Sequence, residues 1–254
     1  MLNKDKSNQN EKTRNRAQYL LKEKSMKNIL KVRMLGGFTL EYKGKELVLD
    51  RNNVSKTTQL FQLLLLHTQD GGISKAALID ALYGRSDVEN KNGSLNNTIF
   101  RLRKQLTAAG LPESSYININ GGMCTWDPDI ETSVDVCDFK QTIESARHEK
   151  SQKTKMEIYA KAWKLYTGEF LPDMMGEDWA AVENIACRDM YFDCVEELCH
   201  YLKTEEKFEE LYRVAHSAAE IYPFYDWQIW GKSTASSECP ATKTASMSTK
   251  EQPS

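Results

Sequence analysis

Between positions 96 and 104 the chain concentrates Asn96, Asn97, Phe100, Arg101, Arg103 and Lys104. These side-chain types suit the reading of a nucleic-acid duplex. An asparagine amide pairs with adenine, an arginine with guanine, and an apolar group meets the thymine methyl. Cations beside them hold phosphates and set register. Interleaved are Leu95, Ile99, Leu102 and Leu106 at i, i+4, i+7 and i+11, the inward stripe of an amphipathic helix over residues 90–109. With that stripe buried, the polar set faces outward. Phe100 has two readings: an aromatic touching a thymine methyl, or an apolar side chain packed under a neighbouring hairpin. Arg101, Arg103 and Lys104 either contact phosphates or decorate a solvated face. Lys56 and Thr57, at the start of another helix, are candidates for a phosphate held by side chains and free N–H groups. Ordinary capping by Ser55 competes with that reading. Arg51 and Asn118 complete the set of candidates.

No catalytic constellation accompanies these residues. His67, His148, His200 and His216 fall on separate elements, without metal-ligand spacing. Cys199 and His200 are adjacent, and adjacent helical positions point about 100° apart. Cys187 and Cys194, at i and i+7, read as small core residues. Gly36-Gly37 makes a turn between strands and is not followed by a phosphate-loop pattern. The sequence therefore predicts no enzyme, no cofactor and no metal.

Composition agrees with a soluble binding protein. Of 254 residues, 40% are hydrophobic and 28% charged, ordinary values for a globular chain. No apolar run approaches a membrane span, and the basic N-terminus lacks the apolar core of a secretory signal. Six cysteines form no regular framework, which points to free thiols in a reducing, cytoplasmic compartment. The net charge of −2 conceals an asymmetry: basic residues number 8 against 3 acidic in residues 1–30, 12 against 10 in 31–130, 11 against 21 in 131–231, and 3 against 2 beyond. The front half suits a polyanion and the rear half does not. The acidic pairs Glu196-Glu197, Glu205-Glu206 and Glu209-Glu210 are a solvated face or a surface for a basic partner.

Four segments follow from the pattern. Residues 1–30 are polar and Lys/Asn-rich, predicting a disordered basic arm. Residues 31–130 predict an α+β winged helix-turn-helix domain: three short strands (31–35, 38–42, 45–49), helices over 55–67, 74–84 and 90–109, then a hairpin of 116–120 and 123–126 around Asn120-Gly121-Gly122. Strand patterns then stop. Residues 131–231 predict an all-α, tetratricopeptide-like domain with helices over 136–149, 153–167, 179–203 and 206–221. Tyr222 to Gly231, with Trp227, Ile229 and Trp230, resembles the opening of a further helix, so the repeat array reads as incomplete. Residues 232–254 are a Ser/Thr/Ala/Lys-rich tail that cannot build a core.

The segment Val32-Arg33-Met34-Leu35-Gly36-Gly37-Phe38 resembles the opening of the Streptomyces antibiotic regulatory protein (SARP) group. In that family's order follow Leu78-Ile79-Asp80-Ala81-Leu82-Tyr83-Gly84 and Leu95-Asn96-Asn97-Thr98-Ile99-Phe100-Arg101-Leu102-Arg103-Lys104-Gln105-Leu106. Tyr166-Thr167-Gly168-Glu169-Phe170-Leu171-Pro172, with Asp178-Trp179, is similar to the accompanying bacterial transcriptional activation domain. The resemblance covers residues 31–231. It implies an OmpR/PhoB-type winged helix on a tetratricopeptide-like domain, recognising repeats in double-stranded DNA as a dimer and recruiting RNA polymerase subunits, with no membrane partner. Three features depart from the family: a wing of Gly121-Gly122-Met123-Cys124 without a basic residue, the apparent loss of the last helices, and Asn96-Asn97 where cations are frequent. These departures leave two other expectations standing: a protein-interaction adaptor that has lost DNA binding, and a truncated, non-functional fragment.

Overall fold

The computed structural model describes residues 29–50, 54–126 and 129–225. Residues 1–28 of the expected basic arm, Arg51, Trp227, Ile229, Trp230 and the Ser/Thr-rich tail lie outside the described residues, while Leu30, expected to end the arm, is the buried first residue of a strand.

Alternating apolar residues open the fold. Strand β1 (Leu30–Arg33) pairs antiparallel with β2 (Thr39–Tyr42), and β2 with β3 (Lys45–Leu47). Leu30, Val32, Leu40 and Tyr42 point into the core, as the two-residue period of a half-buried sheet requires. Helix α1 (Lys56–Leu66) follows, its first turn capped by the Ser55 hydroxyl accepting from the Thr58 N–H. The short strand β4 (Ile73–Ser74) leads into α2 (Lys75–Tyr83), where Ser74 caps through the Ala77 N–H. Helix α3 (Lys91–Ala108) is capped by Asn90, whose side chain accepts from Gly93. Strands β5 (Ile117–Asn120) and β6 (Met123–Trp126) form the expected hairpin, with positive φ at both Gly121 and Gly122, the turn geometry that matches strand twist.

Two strands escaped sequence reading. Strand β4 adds to β6, giving the sheet order β4-β6-β5. Strand β7 (Thr132–Val134) pairs parallel with β1, so strand structure does not stop at residue 129. Neither is long enough to show a period: β4 has two residues and β7 three.

The rear of the chain is helical: α4 (Asp135–His148), α5 (Gln152–Leu165), α6 (Asp178–Thr204) and α7 (Phe208–Ile221). Each packs on the next, the consecutive stacking expected of paired antiparallel helices. Phe139, Tyr166 and Tyr191 form an aromatic column, with Tyr166 and Tyr191 stacked at 4.1 Å between ring centroids. No helix among the described residues is long and apolar enough to cross a membrane.

Front and rear share one continuous core, joined by a backbone seam. Leu35 and Phe170 form an antiparallel bridge. The Gly36 N–H donates to the Glu169 carbonyl at 2.8 Å, the Leu171 N–H to the Met34 carbonyl at 2.9 Å, and the Thr167 hydroxyl to the Leu35 carbonyl at 2.7 Å. A Cβ at Gly168 would lie 2.8 Å from the Cα of Gly36, which itself has φ +82°. Only glycine fits both requirements. Asp135, the first residue of α4, accepts the N–H groups of Met34 at 2.7 Å and Leu35 at 3.1 Å. A side-chain seam extends this one: Lys56 Nζ pairs with Glu177 at 3.2 Å, Gln59 donates to the same carboxylate, and Arg85 pairs with Asp178.

Burial pushes the Asp135 carboxyl up to about 6, outweighing the lowering effect of the N–H donors of Met34, Leu35 and Val136. A carboxyl whose pKa is raised on folding binds its proton more tightly in the native state. Its contribution is then greatest below the unfolded-state value and falls as pH rises through about 6. Asp135→Ala, which also removes the acceptor of three backbone donors, is expected to cost about 2 kcal/mol. Urea titrations at several pH values should show that penalty largest near pH 4 and smaller above pH 6; a penalty growing with pH contradicts this account.

Candidate nucleic-acid interface

The surface of interest is the outward side of α3. Its inner side is fixed by Leu95, Ile99, Leu102 and Leu106, all buried against α1 and α2. Each such side chain contributes about 1.5–3 kcal/mol. Thr98 also turns inward, where its hydroxyl meets Tyr83 Oη of α2 at 2.7 Å. This contact and the packing of Leu78 and Leu82 fix the angle between the two helices.

With that side held, Asn96, Asn97, Phe100, Arg101 and Lys104 are exposed. The side chains of Asn96, Asn97 and Arg101 make no hydrogen bond or ion pair among the described residues. Phe100 is 57% exposed, which decides between its two readings: it does not lie beneath the hairpin. The Lys104 ammonium stands 4.5 Å from its ring centroid. Asn92, one turn before Asn96, is exposed as well and extends the same line. Sequence reading missed it, although its i−4 spacing from Asn96 was a usable signal.

Arg103 has a different position from its neighbours. It is half-buried, with Nε donating to the Ser115 carbonyl and Nη2 to the Ile117 carbonyl, both at 2.9 Å. The expected phosphate ligand is instead a brace between α3 and the hairpin. Tyr116 and Trp126 anchor the same hairpin from below, stacked at 6.1 Å between centroids, and Phe61 of α1 packs on Trp126. Asn118 is exposed on β5, and beside it Ile119 and Met123 are exposed too. The hairpin from Ile117 to Trp126 carries no cation.

The second expected site, at the start of α1, is occupied by the protein itself. Ser55 caps the helix, Thr57 is buried, and Lys56 is engaged by Gln59 and Glu177. Lys56 therefore takes part in the seam through Glu177, and Thr57 is buried. The structure thus gathers Asn96, Asn97, Phe100, Arg101, Lys104 and Asn118 on the outer side of α3 and its hairpin, and sets Lys56, Thr57 and Arg103 apart.

Elsewhere, no group of three His, Cys, Asp or Glu residues among the described residues is placed to hold a metal ion. Cys199 is buried and its neighbour His200 exposed, so the two diverge as helical geometry demands. Cys124, Cys137, Cys187, Cys194 and Cys199 are free and buried. Burial pushes the Cys137 thiol up to about 12 and raises those of Cys187 and Cys194 further. Such thiols stay protonated and unreactive.

No family model matches the chain, and the curated proteins give no match. Among solved structures the chain is similar to Mycobacterium tuberculosis EmbR in complex with a low-affinity phosphopeptide, at 14% sequence identity and a TM-score of 0.58. The match covers 78% of this chain and 52% of that one, so this chain spans about half the neighbour's length. At this identity the likeness is one of fold alone.

The two arginines are distinguishable by stability. Arg103→Ala removes two charge-assisted bonds to hairpin carbonyls and is expected to cost about 1.5–3 kcal/mol. Arg101→Ala, on an open surface, should stay within about 0.5 kcal/mol of the parent. Thermal unfolding of both variants checks this, and faster amide exchange in residues 115–126 should accompany only the first.

Proposed function

We propose that this chain is a sequence-specific, DNA-binding transcription regulator. In this reading α3 enters the major groove, the β5–β6 hairpin lies against the backbone beside it, and the rear helices meet an RNA polymerase subunit or another partner. The observation that carries the proposal is the exposed line of amide, aromatic and cationic side chains on α3. That helix follows α2 in a helix-turn-helix arrangement whose second helix has every apolar side chain buried except Phe100 and the small Ala108. Recognition helices of this kind present their N-terminal residues to base edges, and here those residues are Asn92, Asn96 and Asn97. Arg101 and Lys104 lie further along, where they suit phosphates. Binding as a dimer on repeated half-sites, in the cytoplasm and without cofactor or enzymatic activity, completes the reading. The domain limits that go with it are 31–130 for the DNA-binding part and 131–231 for the helical part.

A protein-interaction adaptor is the competing reading. It is favoured by the hairpin, which offers Ile119 and Met123 in place of cations, and by the acidic rear. Selection from a random duplex pool with the purified chain separates the two. A regulator enriches a repeated half-site. An adaptor enriches nothing, while a protein partner is captured without DNA.

On an enriched duplex, Arg101→Ala should weaken binding and lower the slope of log K against log salt by about one, as one phosphate contact is lost. An unchanged slope removes Arg101 from the interface.

A further inference from the structure

We propose that Phe100 reads the C5-methyl group of a thymine, making that methyl a determinant of the sequence this chain recognises. The inference rests on the reading of α3 as the groove-entering helix and goes beyond it to the base. Single exposed apolar residues are common on any surface; the position of this one sets it apart. No other large apolar side chain of α3 is exposed. Phe100 lies in an i+4 line with Asn92 and Asn96 before it and Lys104 after it, all exposed, and the Lys104 ammonium sits over its ring at 4.5 Å from the centroid. A cation at that distance favours the ring's face and orders the side chain on the helix surface.

The benzyl ring has neither donor nor acceptor. Against the edges of guanine, adenine or cytosine it would displace water from polar groups and replace none of the lost hydrogen bonds. The thymine methyl is the apolar group in the major groove that it can cover. Asn96 offers the amide that pairs with adenine N6 and N7. The two side chains leave the helix about 6 Å apart along its axis, close to the spacing of two successive base steps. The half-site then places an adenine within about two steps of the thymine read by Phe100.

The test uses the full chain and a duplex enriched by it from a random pool. Each thymine is replaced in turn by deoxyuridine, which removes the methyl and leaves the pairing unchanged. Wild type should lose about fourfold in affinity at one position, the worth of one buried methyl group. Phe100→Ala, with an unchanged Tm, should bind the thymine duplex more weakly and be indifferent to uridine at that position. Phe100→Leu should retain part of the discrimination. If a half-site is enriched but no uridine substitution weakens wild-type binding, the methyl readout is wrong while DNA recognition stands. Persistence of the loss in Phe100→Ala overturns it equally, because another group then reads the methyl. If no sequence is enriched, both proposals fall.

Discussion

The arrangement of this molecule depends on a close approach of two glycines. Gly36 ends the first strand region with a positive φ, and Gly168 passes so near that a Cβ there would collide with its Cα. That approach lets the 167–171 segment bond to the 34–36 backbone, and lets the Asp135 carboxylate cap two N–H groups that β1 leaves open. The donors are buried where water cannot serve them, so an unfilled position here would be costly. The seam is therefore stringent about geometry. It holds the rear helices against the front sheet, and the ion pairs of Glu177 and Asp178 with Lys56 and Arg85 extend it along α1 and α2.

The consequence for function is one of presentation. Helix α1 packs against α3 in front, and its Lys56 and Gln59 side chains engage Glu177 of the rear half. Helix α3 is gripped on its inner side by four apolar residues and the Tyr83–Thr98 contact, and at its flank by Arg103 reaching the hairpin. What remains outside is polar, apart from Phe100 and the small Ala108. A rigid helix with an open, hydrogen-bonding surface needs little ordering on binding, which favours affinity at a given number of contacts.

Much of this was legible in the sequence because it rests on local rules. Ser55 and Ser74 cap the helices they were expected to cap, the Asn120-Gly121-Gly122 turn closes its hairpin, and the Leu95–Leu106 stripe faces inward. What escaped was non-local. Strands β4 and β7 are defined by their partners and not by a period of their own. Arg103 looks like its neighbours in sequence, yet its position on the helix directs it to hairpin carbonyls. Lys56 suits an anion until Glu177, more than a hundred residues later, is seen to pair with it. The two motifs around Gly36 and Gly168 were visible singly; that each exists to meet the other was not.

The central claim is that the outer side of α3 is where a duplex binds. Amide hydrogen exchange across the whole chain, with and without a DNA duplex at low salt, tests it directly, because phosphate contacts alone then suffice for binding. The account predicts slowed exchange in α3 and in the hairpin from Ile117 to Trp126, with the rear helices unchanged. Protection confined to α6 and α7, or none in α3 when the duplex is bound, would contradict it.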